Sequence, residues 1–150
     1  MKKTIWLLFL GITMVLLVSC NNEPKALLEV SDEEATLVSN FVTDYKMTMV
    51  EAVNSGDFNE LESYLITNNS FYHSLRRYVS DLQRDKVKKR LLHFEVKNVF
   101  KTEDGQWFAD ANESVELDDN NHMKTEERFV RFELIEKDTQ SFRIVTIKKQ

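Results

Sequence analysis

Residues 31–56 read SDEEATLVSNFVTDYKMTMVEAVNSG, and this stretch decides the fold. Ser31-Asp32-Glu33-Glu34 has the form of a capping box: the Ser31 hydroxyl can accept from the Glu34 amide while the Glu34 carboxylate reaches back, and the acids sit at the positive end of the helix dipole. Val38, Phe41, Val42, Tyr45, Met49, Ala52 and Val53 then recur at steps of three and four, which predicts one apolar stripe on a helix of about five turns. Asn54-Ser55-Gly56 ends it, because Gly56 can take the left-handed conformation that closes a helix.

Downstream, Asp57 to Glu60 restarts a helix by the same capping logic, with Phe58, Leu61, Tyr64 and Leu65 as a short apolar face. After the polar break Thr67-Asn68-Asn69-Ser70, Ser70 is the expected cap of a third helix carrying Phe71, Leu75, Tyr78, Val79 and Leu82. From Leu91 the period changes. Leu92, Phe94 and Val96 alternate onto one side, and Val99 and Phe100 break the phase, which predicts a bulge near Lys97 and Asn98. Glu103-Asp104-Gly105-Gln106 supplies a turn, and Trp107, Ala109, Ala111, Val115 and Leu117 continue with period two. Asp118 to Asn121 is a second turn, Phe129 to Ile135 a third strand, Lys137 to Gln140 a third turn and Phe142 to Ile147 a fourth strand. Three helices followed by four strands on short connections predict an α+β domain, an antiparallel meander covered on one face by helices.

Upstream, Lys2 and Lys3 precede an apolar run from Ile5 to Val18, which is the grammar of a secretory signal peptide and falls short of the roughly 20 apolar residues of a permanent span. It closes on Leu17-Val18-Ser19-Cys20, which resembles the bacterial lipobox. That resemblance implies cleavage between Ser19 and Cys20 and a diacylglyceryl group on the Cys20 thiol, with the amino terminus commonly acylated as well. Two or three chains would make release from the membrane slow, since one alone holds marginally. Residues 1–19 are therefore read as a lipoprotein signal peptide, 20–30 as the lipidated cysteine and tether, and 31–150 as the domain. Pro24, the single proline, keeps a helix from running through the tether, whose roughly ten residues reach at most about 35 Å. The expected location is the extracytoplasmic face of a bacterial membrane.

Composition narrows the function classes. Cys20 is the one cysteine, so maturation consumes it and leaves the domain without an internal disulfide or a cysteine metal site. The net charge of −5 becomes more negative once Lys2 and Lys3 are removed, which disfavours nucleic acid and anionic headgroups as partners of the whole surface.

Phe41, Asp44-Tyr45, Ala52, Asn54-Ser55-Gly56-Asp57-Phe58, Tyr64-Leu65 and Ser70-Phe71-Tyr72, followed by the strand-rich half, resemble the nuclear transport factor 2-like (NTF2-like) domain at the C-terminal end of TcaA-type bacterial envelope proteins. The resemblance spans Val30 to Lys149. It implies a long helix packed into a strongly curved antiparallel sheet, a cystatin-like cone, and a role linked to the cell wall. TcaA-type proteins, as the resemblance implies, also carry a zinc ribbon, a transmembrane helix and further extracellular domains. Here a lipobox stands in their place.

Cones of this type also occur in ketosteroid isomerase-like enzymes. Residues of suitable type for acid–base work are Asp44, Tyr45, Asp110, His73 and His93, but such chemistry needs two groups converging on one substrate atom. Tyr45 lies on the apolar stripe, Asp44 beside it reads as solvated, and His93 points away from Leu92 and Phe94. No nucleophile elbow, phosphate loop or HExxH pair is present, and Asp118-Asp119-Asn120-Asn121 lacks the spacing and glycine of a calcium loop. The sequence therefore predicts no catalytic residue, no metal and no cofactor. One segment departs from the acidic background: Arg84, Lys86, Lys88, Lys89 and Arg90 form a candidate site for anionic wall polymer, against the plainer reading of a solvated helix end whose cations suit the negative dipole end. The expectation is a non-catalytic binding or accessory module, with a small-ligand binder or pocket enzyme as the alternative, envelope proteins as further partners and a homodimer through the sheet face.

Overall fold

A computed structural model of the chain describes residues 26–138 and 141–150; the expected signal peptide, Cys20 and the first part of the tether lie outside them. The elements in order are β1 (Leu27–Glu29), α1 (Asp32–Ser55), a 3-10 helix (Phe58–Tyr64), α2 (Ser70–Arg84), β2 (Lys88–Thr102), β3 (Gln106–Asp119), β4 (His122–Asp138) and β5 (Ser141–Lys149). The sheet is antiparallel throughout in the order β1-β2-β3-β4-β5, so every strand pairs with its sequence neighbours. This is the α+β meander with helices on one face.

Local chemistry explains the boundaries. Both halves of the capping box form at Ser31 and Glu34, and Gly56 closes α1 at φ 81° with its N–H donating to Ala52 O. A side chain there would be strained by the backbone, and its Cβ would collide with Gln83. The β3–β4 turn places Asn120 and Asn121 at φ 50° and 72°, the left-handed pair that a two-residue hairpin requires.

Four details differ from the sequence reading. Part of the expected tether is a strand: Leu27–Glu29 pairs with Phe100–Thr102 and extends the sheet by one strand. The cap of α2 is Asn69, whose side chain accepts from Tyr72 N at 2.7 Å, one residue before the expected Ser70. The amide oxygen of Asn69 reaches Tyr72 while its Nδ2 donates to Val145 O at 3.0 Å, so this cap also ties α2 to β5. Strand β2 begins at Lys88, three residues before Leu91, and β4 begins at His122, seven before Phe129. Finally, Leu92 is exposed. The bulge expected at Lys97 is present, but a second register shift lies between Leu91 and His93, and it turns Leu92 away from the core. Two bulges in one strand bend the sheet around α1.

The core lies between the helices and the inner sheet face. Tyr45, Leu61, Phe132, Leu134 and Ile144 are among its fully buried side chains, each contributing about 1.5–3 kcal/mol on removal from water. The Tyr45 and Phe94 rings both meet Phe132 edge-on, with centroids 6.1 and 6.0 Å from it. No helix among the described residues is long and apolar enough to cross a membrane.

Candidate functional site: a buried charge cluster between helix and sheet

Lys46 occupies the apolar stripe of α1, four residues after Val42 and three before Met49, and it is 6% exposed. Across from it, β3 turns alternate residues inward: Trp107, Ala109, Ala111, Glu113 and Val115 are all buried. Glu113 is thus a carboxylate at a core-facing position, 5% exposed. The two meet as an ion pair, Lys46 Nζ to Glu113 Oε2. On β4, Arg128 is the ladder partner of Glu113, and its Nε lies 3.2 Å from Glu113 Oε1. A second lysine arrives from β2. Asn54, at the end of α1, clasps the backbone of Lys89 at both ends, accepting from its N–H and donating to its carbonyl at 2.8 Å each. The Lys89 side chain then runs inward, is buried, and donates to Tyr78 Oη at 3.2 Å.

The electrostatics follow from dryness. Burial lowers the pKa of Lys46, opposed by the neighbouring Glu113 carboxylate. Burial also lowers Lys89, aided by repulsion from Lys46, to about 7, while Glu113 acts the other way. Burial raises both Tyr45 and Tyr78. At the solvent end, Glu126 is held low chiefly by its hydrogen bond to Lys124, and Arg128 Nη2 lies 3.5 Å from the same carboxylate. Lys89 also lines an open groove of about 600 Å³ whose apolar walls include Met47, Val50, Leu91 and Met123.

Residues singled out in the sequence are placed apart. The basic run is divided: Arg84 is held by Asp81 and Asp85 at 2.7 and 3.0 Å, Arg90 by Glu116 at 2.7 Å, and Lys88 donates to Asn54 O at 2.9 Å. Lys86 takes a left-handed turn conformation at φ 58°. Lys89, expected on the surface with these four, points into the domain. Of the acid–base candidates, Asp44, His73 and His93 are exposed and Tyr45 is buried in the aromatic core. Asp110 is locked by Arg131, two hydrogen bonds of 2.6 and 2.7 Å, on the outer face. In the Asp118–Asn121 turn, Asn121 N donates to Asp118 Oδ1 at 2.9 Å. Among the described residues no group of three His, Cys, Asp or Glu side chains is arranged to hold a metal ion.

The pattern of one long capped helix, two shorter ones and a bulged meander is matched in sequence by the model of the TcaA protein NTF2-like domain over residues 34–148. The chain belongs to the TcaA NTF2-like domain family. An uncharacterized protein of Alkalihalophilus pseudofirmus is 52% identical over 133 residues, covering 89% of this chain and 87% of that protein. Among solved structures, the fold is similar to the intermembrane space region of the chloroplast protein ARC6, with a TM-score of 0.62 at 15% identity over 81% of this chain and 98% of that one. It is also similar to Aln2 from a Streptomyces species, with a TM-score of 0.55 at 13% identity over 82% and 93%.

The charge cluster escaped the sequence reading although each part left a trace. Lys46 sits on the helical stripe, and Glu113 fills the one gap in the alternation from Ala109 to Leu117. An isolated charge in an apolar pattern usually means a snorkelling or edge position. Two opposite charges, one on each of two packing faces, are the signal that would have found the pair.

Proposed function

We propose that this NTF2-like domain is a lipid-anchored, extracytoplasmic binding module of the bacterial envelope that performs no chemistry of its own. One observation carries the non-catalytic part. The ionisable side chains that acid–base work would use are exposed on the surface (Asp44, His73, and His93, which lies 3.5 Å from Glu95) or are fixed in ion pairs (Asp110 with Arg131, Glu113 with Lys46 and Arg128). His93 shares an open groove with Glu113, whose carboxylate is held by Lys46 and Arg128 and so is not free for the proton transfer that a substrate would need. The resemblance of Leu17-Val18-Ser19-Cys20 to a lipobox supports the anchor, and the TcaA family supports the envelope setting and an association with cell-wall polymer.

The outer sheet face supports a second copy of the chain as one partner, since Phe129 and Ile135 are each 39% exposed there. Two measurements test the reading. Radiolabelled palmitate should be incorporated by the natural chain and lost in Cys20→Ser; unchanged labelling removes the anchor. Crosslinking in intact envelope should then trap the anchored protein on partners in the wall or on itself, and a protein recovered uncrosslinked from the envelope contradicts the binding role.

A further inference from the structure

The inner cluster holds more positive than negative charge. Lys46, Lys89 and Arg128 face two carboxylates, Glu113 and Glu126, and Glu126 is also bound by Lys124 at 2.6 Å. The ionisable groups around Lys89 are Tyr45 and Lys46 from α1, Tyr78 from α2, Glu113 from β3, and Glu126 and Arg128 from β4. Among the described residues no carboxylate lies within ion-pair distance of Lys89, whose ammonium spends one of three donors on Tyr78. One neighbouring donor is short of a partner as well: Arg128 Nε is buried and, although 3.2 Å from Glu113 Oε1, makes no well-directed hydrogen bond. Buried polar atoms in native proteins are nearly all hydrogen-bonded, and an unmet donor beside a lysine with donors to spare points to an acceptor.

We propose that Lys89, with Tyr78 and Arg128, receives the oxyanion of a small ligand, a carboxylate or a phosphate, between α2 and the inner face of the sheet. The oxyanion accepts from the free donors of Lys89 and from the guanidinium, and it balances the surplus charge. Arg128, 29% exposed at its side chain, forms the solvent end of the path. This deepens the binding-module reading and rests on it: the wall and its precursors are rich in these two groups, whereas the exposed cations of the basic run are mostly occupied.

Thermal unfolding of the full chain in detergent micelles tests the site, with sodium acetate, sodium phosphate and sodium chloride compared at equal ionic strength in oxyanion-free buffers. The expected result at pH 6 is a rise in Tm that saturates with acetate or phosphate and exceeds that with chloride; the anion that saturates first identifies the ligand class. Acetate keeps one charge across the range, so its apparent affinity should fall by about 100-fold between pH 6 and pH 9 as Lys89 gives up its proton. Lys89→Met should abolish the excess over chloride, and Lys148→Met, on the outer surface, should keep it. Equal responses in the natural chain and Lys89→Met, or an acetate response unchanged from pH 6 to pH 9, would overturn the proposal. So would the absence of any excess over chloride. Crosslinks in the envelope that persist while that excess is absent would sink the oxyanion site and leave the binding-module reading standing.

Discussion

Two buried carboxylates sit three residues apart on β3 and face opposite ways. Asp110, 4% exposed, points to the outer face and accepts two short, parallel hydrogen bonds from Arg131, whose guanidinium also lies over the Phe108 ring at 5.8 Å. Glu113, 5% exposed, points inward and is shared between Lys46 and Arg128. A fork-shaped guanidinium matches one carboxylate and closes the account of donors and acceptors. Two cations on one carboxylate, with a third beside them, leave atoms imperfectly met. The first arrangement fastens a strand pair; the second is open to a further negative group.

Mutations can break this contrast. The largest effect is expected from Glu113→Gln, which leaves Lys46 buried without its carboxylate partner, and chemical denaturation should show a loss of about 3–5 kcal/mol. The double variant Glu113→Leu with Lys46→Met should recover most of it; a double variant as unstable as the single one would mean that the pair is not the cause.

Lys89→Met should instead stabilise the fold below neutral pH, by about 1–4 kcal/mol, because the buried ammonium carries a desolvation penalty with no carboxylate of its own. The pH dependence has a definite sign. With a folded pKa of about 7 and an unfolded value near 10.4, the unfolded chain binds the extra proton between those limits, so natural stability rises with pH across that window. The advantage of the methionine variant should therefore shrink from pH 7 to pH 10, and an advantage constant over that range would contradict the assignment.

Asp110→Asn should cost less than Glu113→Gln, about 1–2 kcal/mol, because the Arg131 side chain is 27% exposed and can turn to water. Equal losses for the two variants would erase the distinction between the faces. Smallest of all is Glu34→Gln. Its carboxylate is held down to about 2 by Lys101 first and by Ser31 second, so its contribution is present above the ordinary carboxylate pKa and fades as pH falls toward 2. The variant should show a slightly lower Tm at pH 7 and little of the difference at pH 2.

Much of the fold could be read from single residues because the chemistry is local. Ser31 and Glu34 lie three apart and need nothing else to form a cap. Gly56 and the Asn120-Asn121 pair are defined by backbone angles that other residues resist. The bulge at Lys97 was visible as a break in alternation, whereas the one at Leu92 was hidden, since Leu92 keeps in phase with Phe94 and Val96 and only the ladder with β3 shows the slip. Strand β1 was hidden for another reason. Three exposed residues carry no periodicity, and Leu27–Glu29 becomes a strand only because the far end of β2 offers an unpaired edge.

The site was less legible. Lys89 looked like one cation in a solvated run, and its backbone clasp by Asn54 spans thirty-five positions in sequence. The chain by itself determined the helices, the four long strands, their order and most of the apolar faces, because caps, turns and periods act over a few residues. Which charges would meet was decided by the curvature of a doubly bulged sheet closing on α1, since the energy of a buried ion depends on every group within a few ångströms and none of Lys46, Lys89, Glu113 and Arg128 is local to another in the inner cluster.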